Sequence, residues 1–291
     1  MDLNGIILLD KPNGKTSHDM VYEMRRIAGT RRVGHTGTLD PLATGVLPMC
    51  VGSATKASDM LMSEKKEYIA ELILGKQTDT GDCEGQVIFE GEEVCDAEKI
   101  KEAVMSFVGE QLQVPPMYSA KKQGGKKLYE LAREGITVER EPVKINIYDI
   151  EVIDIFQNVV SIRVSCSKGT YIRVLCEDIG KKLGTFAYMN KLRRTASGEF
   201  TIDMCKTPEE LKKLADENRL EEVLIPVSEL FDYEKISLSD KQSARFKNGV
   251  FVSHPHIENG VLYRVFDNEG EFLAVAECVD GRLRIKKSVR N

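Results

Sequence analysis

Between Glu23 and Asp59 the sequence has one carboxylate, Asp40, set in the run GHTGTLDPLATG (Gly34 to Gly45). The same window carries Arg25, Arg26, Arg31, Arg32 and Lys56, so a polyanionic ligand meets cations there and not a bank of repelling acids. A lone carboxylate in such a setting has two readings. It is a reaction centre, or it is an Asx turn ahead of Pro41, because Asp bonds its own backbone and the residue before proline is pushed out of the helical region. Arg173, in SKGTYIR, and Tyr68, in KKEYIAELIL, are the other candidates. A guanidinium can grip a carboxylate with two parallel hydrogen bonds and hold its pKa down, leaving a pre-formed anion suited to attack or to proton abstraction. The plainer alternatives are that Arg173 is a solvated helix residue and Tyr68 an ordinary strand aromatic.

Several predicted elements must position these groups. Residues 3–9 (LNGIILL) read as a short buried strand, followed by DKPNGKTS, where Lys11, Pro12 and Gly14 make a rigid corner. Ser17 is expected to cap a helix to about Ala28, with Val21, Met24 and Ile27 along one face and Gly29 as its stop. Residues 30–45 then read as a loop that mounts Asp40, and Val46 to Val51 as a strand or short buried element. Glu67 to Leu74 alternates as a strand with Tyr68 at its start, and a second strand near Gln86 to Phe89 is expected to complete a hairpin-like unit. Asp96 caps a helix whose face is Ala97, Ile100, Val104 and Phe107, and Pro115 and Pro116 stop regular structure before a loop and a short basic helix. Residues 143–155 and 159–168 form the clearest strand pair, with Val160, Ile162, Val164 and Cys166 on one side. A helix from Thr170 to about Gly180 then carries Arg173 in its first turns, and Thr207, Pro208 and Glu210 specify another through about Glu217. From about residue 235 the texture changes to short strands separated by NG, NEG and DG turns, as expected of a small β-domain.

Composition narrows the function classes. At 291 residues, with 42% hydrophobic and 30% charged, the chain has room for one large domain or two unequal ones and describes an ordinary soluble protein. Its longest apolar runs are far too short to cross a bilayer, and the opening MDLNGIILLDKP has no basic segment ahead of its apolar stretch, so no secretory signal is expected. Seven scattered cysteines, one of them Cys95, with no CxxC point to a reducing compartment, and a cytoplasmic location is expected. Neither HExxH nor HxE…PCxxC is present, GKT lacks the spacing of a phosphate-binding P-loop, and GxGxxG and GxSxG are missing; no metal and no cofactor is expected. The formal charge of -5 gives no support to nucleic-acid binding as a total, but bases cluster at 24–35, 121–133 and 181–194 while acids dominate 199–234. Those three basic segments are expected to line one route to Asp40, where phosphates would meet them, although each alone also reads as a solvated charged face.

Six ordered segments carry a resemblance. KPNGKTS (Lys11 to Ser17), GHTGTLDPLATGVLP (Gly34 to Pro48), KKEYIAELILGKQTDTGD (Lys65 to Asp82), PPMYSAKKQGGKKLYELAREG (Pro115 to Gly135), CSKGTYIRVLCEDIGKKLG (Cys166 to Gly184) and LRRTASGEF (Leu192 to Phe200) resemble the motif series of the TruB family of pseudouridine synthases. The resemblance implies an α+β pseudouridine synthase fold: a central mixed, largely antiparallel sheet flanked by helices, with a thumb-like insertion at about 110–140. It implies a catalytic domain over 1–234 and a small PUA-like RNA-binding β-domain over 235–291. The implied activity is isomerisation of uridine 55 in the T-loop of transfer RNA, on a flipped-out nucleotide, by a monomer without an obligate protein partner.

Residue by residue, Asp40 matches the family's essential aspartate, Tyr68 the tyrosine that packs on the target base, and Arg173 the arginine paired with the aspartate. Leu192 matches the leucine that helps line the pocket, His35 a histidine near the flipped nucleotide, and Lys11 and Pro12 a motif that supports the pocket. Arg31, Lys121, Lys122, Lys126, Lys127 and Arg193 are the basic side chains expected on the RNA. Two other readings stay open at this level: a non-catalytic RNA-binding or RNA-folding protein, and a catalytic subunit directed by a guide RNA.

Overall fold

The computed structural model describes residues 3–62, 65–92, 96–119 and 121–288, with the backbone alone for 122 and 123. Cys95 and the side chain of Lys122 lie outside the described set. The chain begins with β1 (Gly5–Lys11), α1 (Ser17–Ile27), β2 (Val33–His35), β3 (Thr44–Val51) and β4 (Lys65–Leu74). A small hairpin, β5 (Lys76–Thr78) and β6 (Val87–Glu90), precedes α2 (Ala97–Met105) and β7 (Gly109–Gln113). The insertion holds β8 (Lys122–Gln123), β9 (Lys126–Lys127) and α3 (Leu128–Arg133). Then come β10 (Val143–Phe156), β11 (Val159–Ser167), α4 (Ile172–Lys182), β12 (Ala187–Ser197), β13 (Phe200–Thr201), α5 (Pro208–Asp216) and β14 (Leu224–Pro226). The last part is β15 (Glu234–Ser237), α6 (Asp240–Lys247), β16 (Val252–Ser253), β17 (Leu262–Phe266), β18 (Phe272–Val279) and β19 (Arg282–Ser288).

The main sheet runs in the order β14-β1-β3-β12-β4-β11-β10-β7, with β2 added on β3 and β13 on β12. Every pair is antiparallel except β3 with β12, which meet in parallel at Thr44↔Arg193 and Gly45↔Arg194. The sheet is therefore mixed and largely antiparallel, as expected. Its central strand β12 was not anticipated from the sequence, where its lysines and arginines read as a solvated basic run. Pairing with strands on both sides and burial of alternate residues override that polar composition. The expected hairpin partner of β4 also differs: β6 pairs with β5, whereas β4 lies between β12 and β11.

Alternation sends β1 into two cores. Ile7 and Leu9 join the large cluster with Met20 and Met24 of α1, Met49 and Val51 of β3 and Leu175 of α4. Ile6 and Leu8 face the opposite way, into a cluster with Cys50, Phe231 and Val275. Val275 belongs to the second sheet, β15-β17-β18-β19-β16, so that sheet covers the back of β1 and β3. Burial on both faces explains why GIILL and VLPMCV are continuous apolar runs without alternation.

Two local expectations change at α1. Its cap is Thr16, whose hydroxyl accepts from Asp19 N at 3.0 Å while the Asp19 carboxylate accepts from Thr16 N at 2.9 Å; this box takes the capping role from Ser17. The stretch expected to be loop contains β2, whose Val33 to His35 add to Val51 to Met49 of β3. Where β3 begins, Gly45 has φ +103° and passes so close to β12 that a Cβ would overlap the Arg194 carbonyl oxygen. Gly45→Ala is expected to cost roughly 2–4 kcal/mol through this overlap and the left-handed backbone. Thermal unfolding checks it, and an unchanged midpoint would refute the close approach.

Candidate active site

Asp40 stands in the turn between β2 and β3, and four elements fix that turn. Ala43 N donates to Asp40 O at 3.1 Å and Thr36 N to Pro48 O at 3.0 Å. Freed from capping, Ser17 Oγ donates to Leu39 O at 2.9 Å and accepts from Leu39 N at 2.8 Å, so the first helical residue of α1 holds the backbone beside Asp40. Pro41 O accepts from Gly14 N at 2.9 Å and from Lys11 Nζ at 3.0 Å. Lys11 is fully buried, and burial pulls its pKa down to about 8 against the opposing charge of Asp40. Its ammonium also donates to Pro12 O at 2.8 Å, while Pro12 itself is exposed.

Arg173 is placed by the start of α4. That start is anchored by Gln113 of β7, whose amide accepts from Tyr171 N at 2.8 Å and donates to Tyr171 O at 3.1 Å. The Arg173 side chain is 6% exposed, and its Nε lies 3.1 Å from Asp40 Oδ2. Nη1 donates to Thr80 O at 3.1 Å and lies 3.4 Å from Asp82 Oδ2; Nη2 donates to Tyr118 O at 2.7 Å. The two-pronged grip expected on Asp40 is therefore a single contact, because the other edge of the fork is taken by Asp82 and two backbone carbonyls. Asp82 is buried, and it accepts from Thr80 Oγ1 at 2.6 Å and Glu84 N at 3.2 Å. Sequence reasoning missed Asp82 as a site residue; the polar, turn-forming TDTGD directly after a buried strand was its only signal.

The electrostatics also differ from expectation. Burial pushes the Asp40 carboxyl above the ordinary carboxylate range; Arg173 pulls it back, Asp82 pushes it further up, and Lys11 opposes both. Removal of water outweighs a guanidinium whose charge is shared with a second carboxylate. The side chain nevertheless keeps 36% of its surface, which leaves the carboxylate reachable by a substrate.

Tyr68, on β4, is buried with 8% exposure, and burial raises its phenol pKa against the opposing positive charge of Arg194. Leu192 lies opposite Ala70 of β4 on β12 and packs in the same core cluster as Tyr68. Arg194 points inward and is 1% exposed; Nε donates to Val46 O at 2.7 Å and Nη2 to Gly37 O at 2.8 Å, tying the two ends of the Asp40 turn. Its neighbour Arg193 clasps both oxygens of Asp10, at 2.7 and 3.2 Å, so its guanidinium already holds a carboxylate. His35 is half-buried; burial, helped by Arg194 and His18, lowers its pKa, and its Nδ1 has no hydrogen-bond partner among the described residues.

The outer basic residues are less uniform than their sequence clustering. Arg31 and Lys121 are exposed, Lys126 reaches Glu134 at 3.4 Å, and Lys127 Nζ lies 5.4 Å from the Tyr129 ring centre. Lys181 shares an open cleft of about 600 Å³ with Met117, Tyr118 and Ile136 of the insertion. Arg26 edges a different hollow, between α1 and α5. Among the described residues no group of three or more His, Cys, Asp or Glu is arranged to hold a metal ion.

The linkage of Asp40 to folding follows from its raised pKa. Stability connected with its protonated form is present below the ordinary Asp value and lost as pH rises through the raised one. Asp40→Asn removes that dependence. Relative to the wild type, the variant is expected to gain stability between about pH 3 and pH 7, and melting curves at both ends check it. A difference that shrinks with rising pH would contradict the burial argument.

Comparison with known proteins gives a consistent result. Residues 25–172 match the N-terminal domain of TruB family pseudouridylate synthase, 173–232 the tRNA pseudouridylate synthase B C-terminal domain, and 235–287 the C-terminal model of pseudouridine synthase II TruB. A protein of Clostridium acetobutylicum named tRNA pseudouridine synthase B is 44% identical over 290 residues, 98% of this chain and 99% of its own. One of the same name from Alkaliphilus oremlandii is 52% identical over 225 residues, 77% of this chain and 74% of its own. Among solved structures, a Cbf5-Nop10-Gar1 complex superposes with a TM-score of 0.74 at 27% identity, covering 99% of this chain and 85% of the other.

Proposed function

The chain belongs to the TruB family of pseudouridine synthases, and we propose that it isomerises uridine 55 in the T-loop of transfer RNA with Asp40 as the catalytic carboxylate. The observation that carries this assignment is the reachable carboxylate of Asp40 joined to buried Arg173 at 3.1 Å on a turn braced by α1, β1 and β12. In this reading residues 1–234 carry the catalysis, the insertion at about 110–140 receives RNA, and residues 235–291 are a PUA-like RNA-binding domain. The protein acts as a monomer in the cytoplasm, where its substrate is found.

The reaction breaks the C1′–N1 bond, turns the uracil and makes a C1′–C5 bond, with no atom gained or lost overall. In this reading the ionised Asp40 carboxylate acts as a base on the C2′ proton. Asp40 then takes that proton as N1 leaves with the bonding pair, giving a glycal and the detached uracil anion. Rotation brings C5 to C1′, Asp40 returns its proton to C2′, and the C5 proton leaves to a relay while N1 takes up a proton, so that no atom is gained or lost. Arg173 fixes the carboxylate rotamer, and Asp82 in turn fixes Arg173. Tyr68 and Leu192 form the wall that keeps the detached base in reach. Reaching the target requires flipping it from the arm, at a cost of a few kcal/mol that phosphate and shape contacts offset.

A guide-directed subunit is a second reading, favoured by the overlay on a multi-protein Cbf5 complex. Full-length similarity to proteins named tRNA pseudouridine synthase B supports the stand-alone reading. Pseudouridine formation by the purified chain on an isolated T-arm hairpin is the deciding assay, and inactivity there with rescue by a guide RNA would favour the second. On the same hairpin, Asp40→Asn is expected to bind RNA but make no product, and undiminished product would remove Asp40 from catalysis. Arg173→Lys should slow single turnover at least about tenfold, because an ammonium cannot reproduce contacts along three edges of a planar fork. An unchanged single-turnover rate would assign Arg173 to packing alone.

A further inference from the structure

Helix α1 carries a surface stripe that the chemistry at Asp40 does not use. His18, Tyr22 and Arg25 stand at i, i+4 and i+7, one above another on one helix face. The His18 and Tyr22 rings meet edge to face at 4.8 Å and 81°, and Arg25 Cζ lies 5.4 Å from the Tyr22 ring centre. Tyr22 is 52% exposed although its ring is braced by both neighbours. Lys15 and Arg26, both exposed, add cations to the same side. Arg25 Nε is buried without a hydrogen-bond partner among the described residues. Asp19, the acid of the first turn, is committed to the Thr16 cap at 2.7 and 2.9 Å.

The stripe begins at the catalytic turn. Ser17 holds Leu39 through two hydrogen bonds, and the next residue, His18, lies near enough to His35 for its charge to weigh on that imidazole. An 11-residue helix runs for about 16 Å, so the face extends over that distance from the residue next to the Asp40 turn. Beside it lies an open hollow of about 590 Å³ between α1 and α5, edged by Lys15, Tyr22, Arg26 and Lys212. Asp19, Glu23 and Asp216 line it too, and of these Asp19 is already committed to the Thr16 cap. An exposed aromatic face held by a guanidinium, on a helix bonded to the Asp40 turn and flanked by Lys15 and Arg26, matches the chemistry of single-stranded RNA: a stacking base and its phosphates.

We propose that the His18, Tyr22 and Arg25 stripe docks an unpaired stretch of the substrate RNA flanking the isomerised nucleotide. Tyr22 is the stacking platform for one base, and Arg25, with Lys15 and Arg26, contacts the phosphates. This rests on the reading of the chain as an RNA-modifying enzyme and adds a second contact to it.

The test uses the full chain, a T-arm hairpin, filter binding over a salt series and single turnover at saturating RNA. Tyr22→Ala is expected to weaken binding about tenfold with the salt slope unchanged, since stacking is not a charge contact. Tyr22→Phe should bind as the wild type, and Arg25→Gln should lower the salt slope by about one. Rates at saturation should stay at the wild-type value in all three. A photo-crosslinker at position 22 should label nucleotides flanking the target. Wild-type binding by both Tyr22→Ala and Arg25→Gln overturns the proposal, as does labelling confined to RNA remote from the target. Slower saturating rates with unchanged binding also overturn it, by assigning the stripe to bracing of the Asp40 turn. Failure of the wild-type chain to make pseudouridine sinks the parent reading instead, and the binding comparison still decides the stripe.

Discussion

A buried guanidinium must have its charge matched and its N–H groups occupied, and Arg173 is the residue on which that requirement falls here. Leaving such a charge without its carboxylate costs on the order of 3–5 kcal/mol, far more than a surface pair contributes. From its place on α4 it finds partners in three other stretches: the Asp40 turn, the Thr80–Asp82 turn after β5, and Tyr118 at the root of the insertion. One planar group therefore makes the position of each stretch depend on the others. Because Tyr118 is among the partners, the insertion and the carboxylate share a single hydrogen-bonding centre.

The sheet supplies the second constraint. β3 starts beside Gly45, where it meets β12 in parallel, and ends paired to both β1 and β2. The turn holding Asp40 is thus the connection between β2 and β3, whose far end pairs back on β2, and Arg194 closes it by bonding Gly37 O and Val46 O. Helix α1 acts on the same turn through Ser17, a hydroxyl left available because Thr16 and Asp19 cap the helix. Rigid support from two sides is what a carboxylate needs if it is to keep one rotamer while a large substrate enters and leaves.

Those supports also set its proton affinity. Packing removes water from Asp40, and the nearest cation divides its attraction between Asp40 and Asp82. The result is a carboxyl above its ordinary range, where a strongly paired one would have been held below it. Lys11, buried and lowered to about 8, sits on the other side of the same turn. Site electrostatics of this kind follow from burial and from competition among neighbours, neither of which any single pair describes.

Much of the fold was legible in the chain because its signals are short-range. The alternation of Val160, Ile162, Val164 and Cys166 gave β11, the Thr207, Pro208 and Glu210 pattern gave α5, and the turn at Asp40 and Pro41 is present. The motif order also picked out Asp40, Tyr68 and Arg173 and the family to which the chain belongs. Composition misled at β12, whose bases concealed a central strand, and at Arg193 and Arg194, which read as surface charge but hold Asp10 and the Asp40 turn. Asp82 carried no mark distinguishing it from other turn acids. Sequence by itself determined the family, the candidate residues Asp40, Tyr68 and Arg173, and most of the elements that bear them. Only the tertiary structure decided how Arg173 divides its contacts and which way the Asp40 pKa moves, because its partners Thr80 and Tyr118 lie 93 and 55 residues away and burial is a property of the packed whole.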